Sequence, residues 1–373
     1  MNEVPSDMKS SARNRKHRLG LRAGELVEVR SREAILSTLD RNGRLDGLPF
    51  MPEMFAYCGK RFRVWKRAHK TCDTVNNTGG RRLTASVHLN DVRCDGNAHG
   101  GCEAACLIFW KEAWLERVNG RATPEVLSAS PGDRLSENDV WVATRAPGDA
   151  DERNPTYVCQ ATLLPQATTL LPWWDFRQYV EDYTSGNASL GQLLSGGLYV
   201  CSYSLVQWVA RHSRRLSAGL IRVYDATQAL FGGVHYPRRS GTVPSGAKTP
   251  SRPLNLKTGD LVQVRTYQDI LSTLDANNKN RGMYFDAEEV PYCGKMFRVR
   301  STVTKIIDEK TGKMLTLKDR NVILEGAICQ AAYSDRRMFC PRAIYPIWRE
   351  TWLTKVTEKV NSEPARSRTP PLD

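Results

Sequence analysis

The stretch at residues 24–40, GELVEVRSREAILSTLD, returns late in the chain as GDLVQVRTYQDILSTLD at residues 259–275. Eleven of the 17 aligned positions are identical, at a constant offset of 235 residues. A second block, Tyr-Cys-Gly-Lys-x-Phe-Arg-Val, occurs at 57–64 and again at 292–299 with the same offset. These matches predict two homologous domains, because the period is far too long for a solenoid repeat.

A third block closes each copy. Its Trp-x-Glu-x-Trp pattern lies at 110–114 and at 348–352, an offset of 238 residues. The change in offset implies a net insertion of three residues between the second and third blocks.

Each copy contains short runs, such as 26–29 and 61–64, in which apolar and polar residues alternate, and this pattern indicates β-strands. The turn of glycine and an acidic residue before the first strand resembles the opening of SH3-like barrels. We therefore expect a mainly β chain with a helical connector, in which two homologous small SH3-like β-barrels occupy residues 24–118 and 258–357.

The residues between the two copies have a different pattern. Apolar side chains recur at helical spacing within residues 134–231, which predicts a helical connecting segment with a break at Gly196-Gly197. Residues 232–257 are rich in glycine, serine and proline and are expected to form a linker. The polar ends predict a disordered basic arm at 1–23 and a disordered tail at 358–373.

Composition limits the class of protein. The chain has 373 residues, a formal net charge of +14 and 40% hydrophobic residues, which excludes a largely disordered chain. Ten cysteines in that length are too few for a disulfide-rich secreted scaffold. The longest apolar run, at 105–110, is shorter than the roughly 20 residues that span a bilayer. With no apolar signal segment, we expect a cytoplasmic protein without membrane insertion.

Several blocks of the chain resemble a family of uncharacterised bacterial proteins. They are Leu-Pro-Phe-Met-Pro-Glu-Met at 48–54, Lys-Thr-Cys-Asp at 70–73, Arg-Cys-Asp-Gly-x-Ala-His-Gly-Gly-Cys at 93–102 and Phe-Cys-Pro-Arg-Ala-Ile-Tyr-Pro-x-Trp-Arg-Glu at 339–350. The resemblance implies two repeated Cys-containing SH3-like barrel domains. It implies no activity, cofactor or partner.

The cysteines of the first repeat are the sharpest chemical signal. Four thiolates can form the tetrahedral ligand set of zinc, and an iron–sulfur cluster takes the same ligands. The glycines around 96–101 would let a loop wrap an ion, and His99 is an alternative ligand. Buried unligated thiols and a disulfide or redox pair remain alternatives. The predicted metal ligands are Cys72, Cys94, Cys102 and Cys106.

The same cysteines allow a second hypothesis, a Cys/His-dependent enzyme. His99 lies five positions after Cys94 and three before Cys102, so a cysteine–histidine pair could activate a thiolate. No third residue that would orient the histidine is evident from the spacing. The chain also lacks the glycine-rich loops that bind phosphate groups.

Basic and aromatic residues alternate in the second block of each copy, as phosphate contacts and base stacking require. The leading hypothesis is a non-enzymatic binding or scaffold protein that uses paired β-barrels, and a nucleic-acid-binding protein is the alternative. The partner is therefore expected to be a protein or a nucleic acid, and no oligomeric state is predicted. The residues expected to bind it are Lys60, Arg61, Arg63, Trp65, Lys66, Arg67, Arg298 and Arg300.

Overall fold

The structure is a computed structural model that describes residues 18–118, 135–149, 151–334 and 336–356. The predicted tail at 358–373 and most of the predicted arm at 1–23 lie outside the described residues. Helices account for 28% of the described residues and strands for 24%. The expectation of a mainly β chain is therefore corrected to a mixed α/β fold, because the middle region forms long helices.

The first repeat contains short strands, two 3-10 helices (Pro52–Tyr57 and Glu112–Trp114) and one short α-helix. Ser31 caps that helix, since its hydroxyl accepts a hydrogen bond from the N–H of Ala34. The elements are β1 (Leu26–Val29), α1 (Arg32–Leu36), β2 (Arg44–Leu45), β3 (Leu48–Pro49), β4 (Arg61–Arg67), β5 (Lys70–Cys72), β6 (Gly80–Arg82), β7 (Ser86–Arg93), β8 (Leu107–Lys111) and β9 (Leu115–Arg117).

The middle region is helical, as predicted. One strand in it pairs with β6 and so attaches this region to the β5–β6 hairpin of the first repeat. Its elements are α2 (Glu137–Val142), α3 (Gln160–Ala167), β10 (Thr169–Leu171), α4 (Arg177–Thr184), α5 (Leu190–His212) and α6 (Arg214–Leu230). Residues 232–257 contain neither helix nor strand.

The second repeat follows the same order of elements, with a longer hairpin in place of β4 to β7. Thr266 caps its helix as Ser31 caps the equivalent helix of the first repeat. The elements are β11 (Leu261–Val264), α7 (Tyr267–Leu271), β12 (Lys279–Asn280), β13 (Met283–Tyr284), β14 (Met296–Ile307), β15 (Met314–Leu324), β16 (Trp348–Arg349) and β17 (Leu353–Lys355).

Two antiparallel five-stranded sheets, one of them a half-barrel, form the body of the repeats. Their strand orders correspond, β8-β7-β4-β1-β9 in the first and β16-β15-β14-β11-β17 in the second. The registers also correspond, because Leu26 lies opposite Arg63 and Leu261 lies opposite Arg298. The sequence duplication is therefore a duplication of strand pairing.

The aromatic cores of the two repeats are built alike. Phe50 packs edge-on against Trp114 with ring centroids 5.2 Å apart, and Phe285 packs against Trp352 at the same distance. Each tryptophan Nε1–H donates a hydrogen bond of 3.1 Å to a threonine hydroxyl, that of Thr38 for Trp114. The indole group is thus buried with its polar atom satisfied, which stabilises one defined packing arrangement.

The two repeats contact each other through equivalent hydrogen bonds. The N–H of Cys72, at the end of β5, donates to Sγ of Cys340 at 3.1 Å. The N–H of Ile307, at the end of β14, donates to Sγ of Cys102 at 3.4 Å. Cys72 and Ile307 are equivalent positions at an offset of 235, and Cys102 and Cys340 are equivalent at 238. The contacts are therefore related by an approximate twofold symmetry. Each repeat supports the loop of the other repeat that carries Cys102 or Cys340, which we call the cysteine loop.

Helix α5 departs from two expectations. It runs unbroken through Gly196-Gly197, because Gly196 packs against Met338 and Phe339, where a Cβ atom would overlap both side chains. Its 23 residues are also long and apolar enough, by length and composition alone, to cross a membrane. Only 17% of its most apolar window is buried within the protein. Counting only uninterrupted apolar runs missed it, because glycine, serine and tyrosine interrupt the leucines.

Candidate metal centre

Three side chains of the first repeat converge at one buried point. Glu53 lies in the 3-10 helix Pro52–Tyr57, Cys94 directly follows β7, and His99 lies in the tight loop that follows Cys94. That loop requires glycine at position 96, where φ is 71° and a Cβ atom would overlap the carbonyl oxygen of Cys102. The predicted loop glycines therefore bring His99 back toward Cys94.

The carboxylate of Glu53 is the centre of this group. Its Oε1 atom accepts a hydrogen bond from Sγ of Cys94 at 2.9 Å and lies 3.1 Å from Nδ1 of His99. The possible ligand atoms of the three residues all lie within 4.8 Å of one another. The side chains of His99 and Glu53 are only 1% and 5% exposed, so the group is withdrawn from water.

Two features of the group suit a bound cation. Nε2 of His99 lies 3.1 Å from the carbonyl oxygen of Val158, which can accept a hydrogen bond from an Nε2–H and leave the lone pair of Nδ1 to bind a metal. Oε2 of Glu53 is buried and has no hydrogen-bond partner among the described residues, which is unfavourable for a carboxylate unless a cation binds it. One thiol, one imidazole and one carboxylate are ligands that zinc accepts together.

The surroundings shift the pKa values of both Cys94 and Glu53. Burial raises the pKa of the Cys94 thiol well above its usual value, and the neighbouring Glu53 carboxylate raises it further. Burial also opposes ionisation of Glu53, but the hydrogen bond and charge of His99 outweigh it and lower the pKa of that carboxyl. Cys94 therefore stays protonated unless a cation stabilises its thiolate.

The fold separates the four thiols predicted to bind a metal. Cys94 belongs to the Glu53 group, and so does His99, the predicted alternative ligand. Cys102 and Cys106 line a cavity of about 50 Å³ beside that group without belonging to it. Cys72 lies instead against Cys340 of the second repeat. A group with a single thiol fits zinc better than an iron–sulfur cluster, whose ligands are mainly cysteines.

Glu53 was missed by the sequence reasoning, and a signal for it existed. Position 288, at the offset of 235, is also a glutamate. The Glu288 carboxylate is buried and accepts hydrogen bonds from the N–H groups of Ala332 and Tyr333. An acidic residue at the same place in both repeats thus holds the cysteine loop of each.

The predicted binding residues on β4 divide between the two faces of the strand. Arg61, Arg63 and Trp65 are exposed on one face, although Nε of Arg61 forms an ion pair with Glu28 at 2.8 Å. Two others bind within the protein. Arg67 pairs with Glu181 at 3.2 Å, and the Lys66 ammonium lies 5.9 Å from the Trp65 ring centroid.

The remaining predicted binding residues lie near the beginnings of β4 and β14. Lys60 is exposed at the turn before β4. Arg298 is exposed and donates to the carbonyl of Gly259, while Arg300 stacks over the ring of Tyr345 at 5.4 Å. Arg61, Arg67 and Arg300 are therefore engaged by other side chains of the protein, whereas Lys60, Arg63 and Trp65 are exposed.

Comparison with known proteins adds no family. No family model matches the chain, and no curated protein matches it significantly. The resemblance to a bacterial family with two barrel domains stays a prediction. Function must therefore be argued from the residues.

Proposed function

We propose that this chain is a non-enzymatic, cytoplasmic binding or scaffold protein with two SH3-like barrel repeats and a structural zinc site in the first. The observation that carries the zinc site is the convergence of Cys94 and His99 on the buried carboxylate of Glu53. Zinc would join the 3-10 helix, the end of β7 and the cysteine loop. Because His99 also contacts the carbonyl of Val158, the metal would fix the middle region against the first repeat.

A Cys/His-dependent enzyme is less well supported. A catalytic cysteine needs a lowered pKa and a base that takes its proton. The pKa of Cys94 is raised by burial, and its thiol donates to Glu53 rather than to His99. Nucleic-acid binding is also less well supported, because Arg61 and Arg67 are paired with acidic side chains.

Zinc is expected to stabilise the chain. After removal of metal with a chelator, added zinc should raise the melting temperature by about 5 °C or more, because a ligand that binds only the folded state stabilises it. Glu53→Gln and His99→Ala should abolish this response, measured by thermal unfolding. The matched control is Cys106→Ser, which removes a thiol beside the group and should keep the response. A response lost in Cys106→Ser but kept in His99→Ala would overturn the assignment.

The surface that best fits a protein partner is one face of α5. Its apolar side chains recur at alternating intervals of four and three residues, which is the spacing of a coiled-coil seam. Leu198 and Trp208 are 70% and 60% exposed, and residues 183–210 carry no charged side chain. The seam consists of Leu194, Leu198, Cys201, Leu205 and Trp208.

The occupant that we propose for this seam is the α5 helix of a second copy. An uncharged seam can pair with itself without repulsion, and pairing would remove several large apolar groups from water. The full chain should sediment as a dimer, and Leu198→Glu with Leu205→Glu should make it monomeric. Leu315→Glu, at an exposed leucine of β15, is the matched control and should leave the dimer intact. A monomeric unchanged protein would contradict the proposal.

A further inference from the structure

A second group of thiols lies where the first repeat meets the second. Cys72 and Cys340 are buried together, with Cys329, Ala331 and Ile344 packed against them. The two cysteines are 268 residues apart in sequence, yet the N–H of Cys72 donates to Sγ of Cys340 at 3.1 Å. The side chains of the two cysteines also share a hydrogen bond. The two thiols are therefore neighbours.

This pair borders open space and two arginines. A cavity of about 320 Å³ is lined by Cys72, Cys340 and Arg337, and also by the side chains of Asp286, Glu288 and Glu289. Arg337 pairs with Asp286 at 3.3 Å. Arg342 is buried on the other side, where it donates to the hydroxyl of Thr74 and the carboxylate of Glu309, each at 2.7 Å. A small neutral molecule can therefore reach the thiols, and the charges of Arg342 and Arg337 favour a thiolate at Cys72.

The surroundings make the two thiols chemically different. The hydrogen bond from Cys340, together with the charges of Arg342 and Arg337, outweighs burial and lowers the pKa of Cys72 to about 6. The same hydrogen bond and burial raise the pKa of Cys340 well above its usual value. These shifts favour the thiolate form of Cys72, with Cys340 as the neutral thiol that supports it.

The equivalent contact in the other repeat shows that this backbone arrangement does not need two thiols. Ile307 stands at the position of Cys72, and its N–H donates to Cys102 just as that of Cys72 donates to Cys340. An isoleucine therefore satisfies the structural role. A cysteine at position 72 is therefore not required for this packing, and its thiol is available for a chemical role.

Beyond the proposed binding role, we propose that Cys72 and Cys340 form a redox-sensitive dithiol, which one equivalent of a hydroperoxide oxidises to a disulfide between the two repeats. The Cys72 thiolate attacks one peroxide oxygen, the O–O bond breaks, and the departing alkoxide or hydroxide takes a proton to give an alcohol or water. Cys72 is then a sulfenic acid. Cys340 attacks its sulfur, the S–O bond breaks, and the hydroxide leaves as water with the proton of Cys340. Two thiols and one hydroperoxide give one disulfide, one alcohol or water, and one water.

The test uses the reduced full chain and one equivalent of hydrogen peroxide. Free thiols should fall by two per chain, and peptide mapping after alkylation should find Cys72 joined to Cys340. Peroxide consumption should be at least tenfold slower in Cys72→Ser. The matched control is Cys58→Ser, at a partly exposed cysteine outside the metal group, the dithiol and the α5 seam, which should react like the unchanged protein.

A second variant tests that Cys72 reacts first and Cys340 second. In Cys340→Ser the sulfenic acid cannot be resolved, so dimedone should label Cys72 after peroxide treatment. Circular dichroism confirms that the variant is folded, and Cys340→Ala replaces it if it is not. Labelling of other cysteines in place of Cys72, or a disulfide between other residues, would overturn the proposal. The dithiol shares no residue with the Glu53 group, so its failure would leave the zinc assignment standing.

Discussion

An Asp182→Ala variant is expected to lose about 3–5 kcal/mol of unfolding free energy at neutral pH. Asp182 lies in α4 with its side chain fully buried, and its Oδ2 atom is 2.6 Å from Nζ of Lys70 in β5. Lys70 is also buried, 4.9 Å from the ring centroid of Tyr179. Removing the carboxylate would leave an uncompensated ammonium group between the middle region and the first repeat.

Urea unfolding at pH 7 measures this loss, and a double variant separates the causes. Burial raises the pKa of Asp182 to about 6 and lowers the pKa of Lys70, so desolvation outweighs the attraction within the pair. Lys70→Met with Asp182→Leu should therefore recover most of the stability, because an apolar pair needs no desolvation of charge. A loss below about 1 kcal/mol in Asp182→Ala would show that the pair is not buried as described.

The second large effect is acid destabilisation through His88. Burial is the main cause that lowers the pKa of this residue from 6.5 to about 3, although the hydrogen bond to the carbonyl of Ile108 opposes it. The unfolded chain binds a proton near pH 6.5 while the folded chain stays neutral. Stability from His88 is therefore complete above pH 6.5 and is lost as the pH falls toward 3, by about 1.4 kcal/mol for each pH unit.

His88→Ile isolates this contribution. Ile323 occupies the equivalent position of the second repeat and is fully buried there, so isoleucine suits this core position. Between pH 6.5 and pH 4, the variant should lose roughly 3 kcal/mol less unfolding free energy than the unchanged protein. Urea midpoints over that range measure the difference. The buried His69, whose pKa burial also lowers to about 3, should keep part of the pH dependence in both proteins. Parallel pH profiles would contradict the assignment.

The repeat architecture was largely predictable because its signals are local. The residues that set the register, such as Leu26 and Arg63, lie inside the blocks that recur along the chain. The contact between the two repeats was not predictable, since Cys72 and Cys340 lie 268 residues apart in the sequence. Sequence spacing therefore placed Cys72 with the thiols of its own repeat, whereas the fold places it against the other repeat.

The helical region shows a different limit. Its helices follow from local spacing, but Gly196-Gly197 predicted a break that packing against Met338 and Phe339 overrides. At the metal group, Cys94 and His99 were found from the sequence because both are characteristic ligands. Glu53 was not found, because a single glutamate 41 residues before Cys94 stands out only when it is compared with Glu288 at the equivalent position of the second repeat.

The zinc content of the purified full chain tests the central claim most directly. Elemental analysis should find about one zinc ion per chain, and almost none in Cys94→Ser, because the thiolate is the strongest ligand of the group. Cys72→Ser, which changes a cysteine in the contact between the repeats, should retain the metal. Metal-free protein prepared with zinc present, or metal lost in Cys72→Ser but kept in Cys94→Ser, would contradict a zinc site at Glu53, Cys94 and His99.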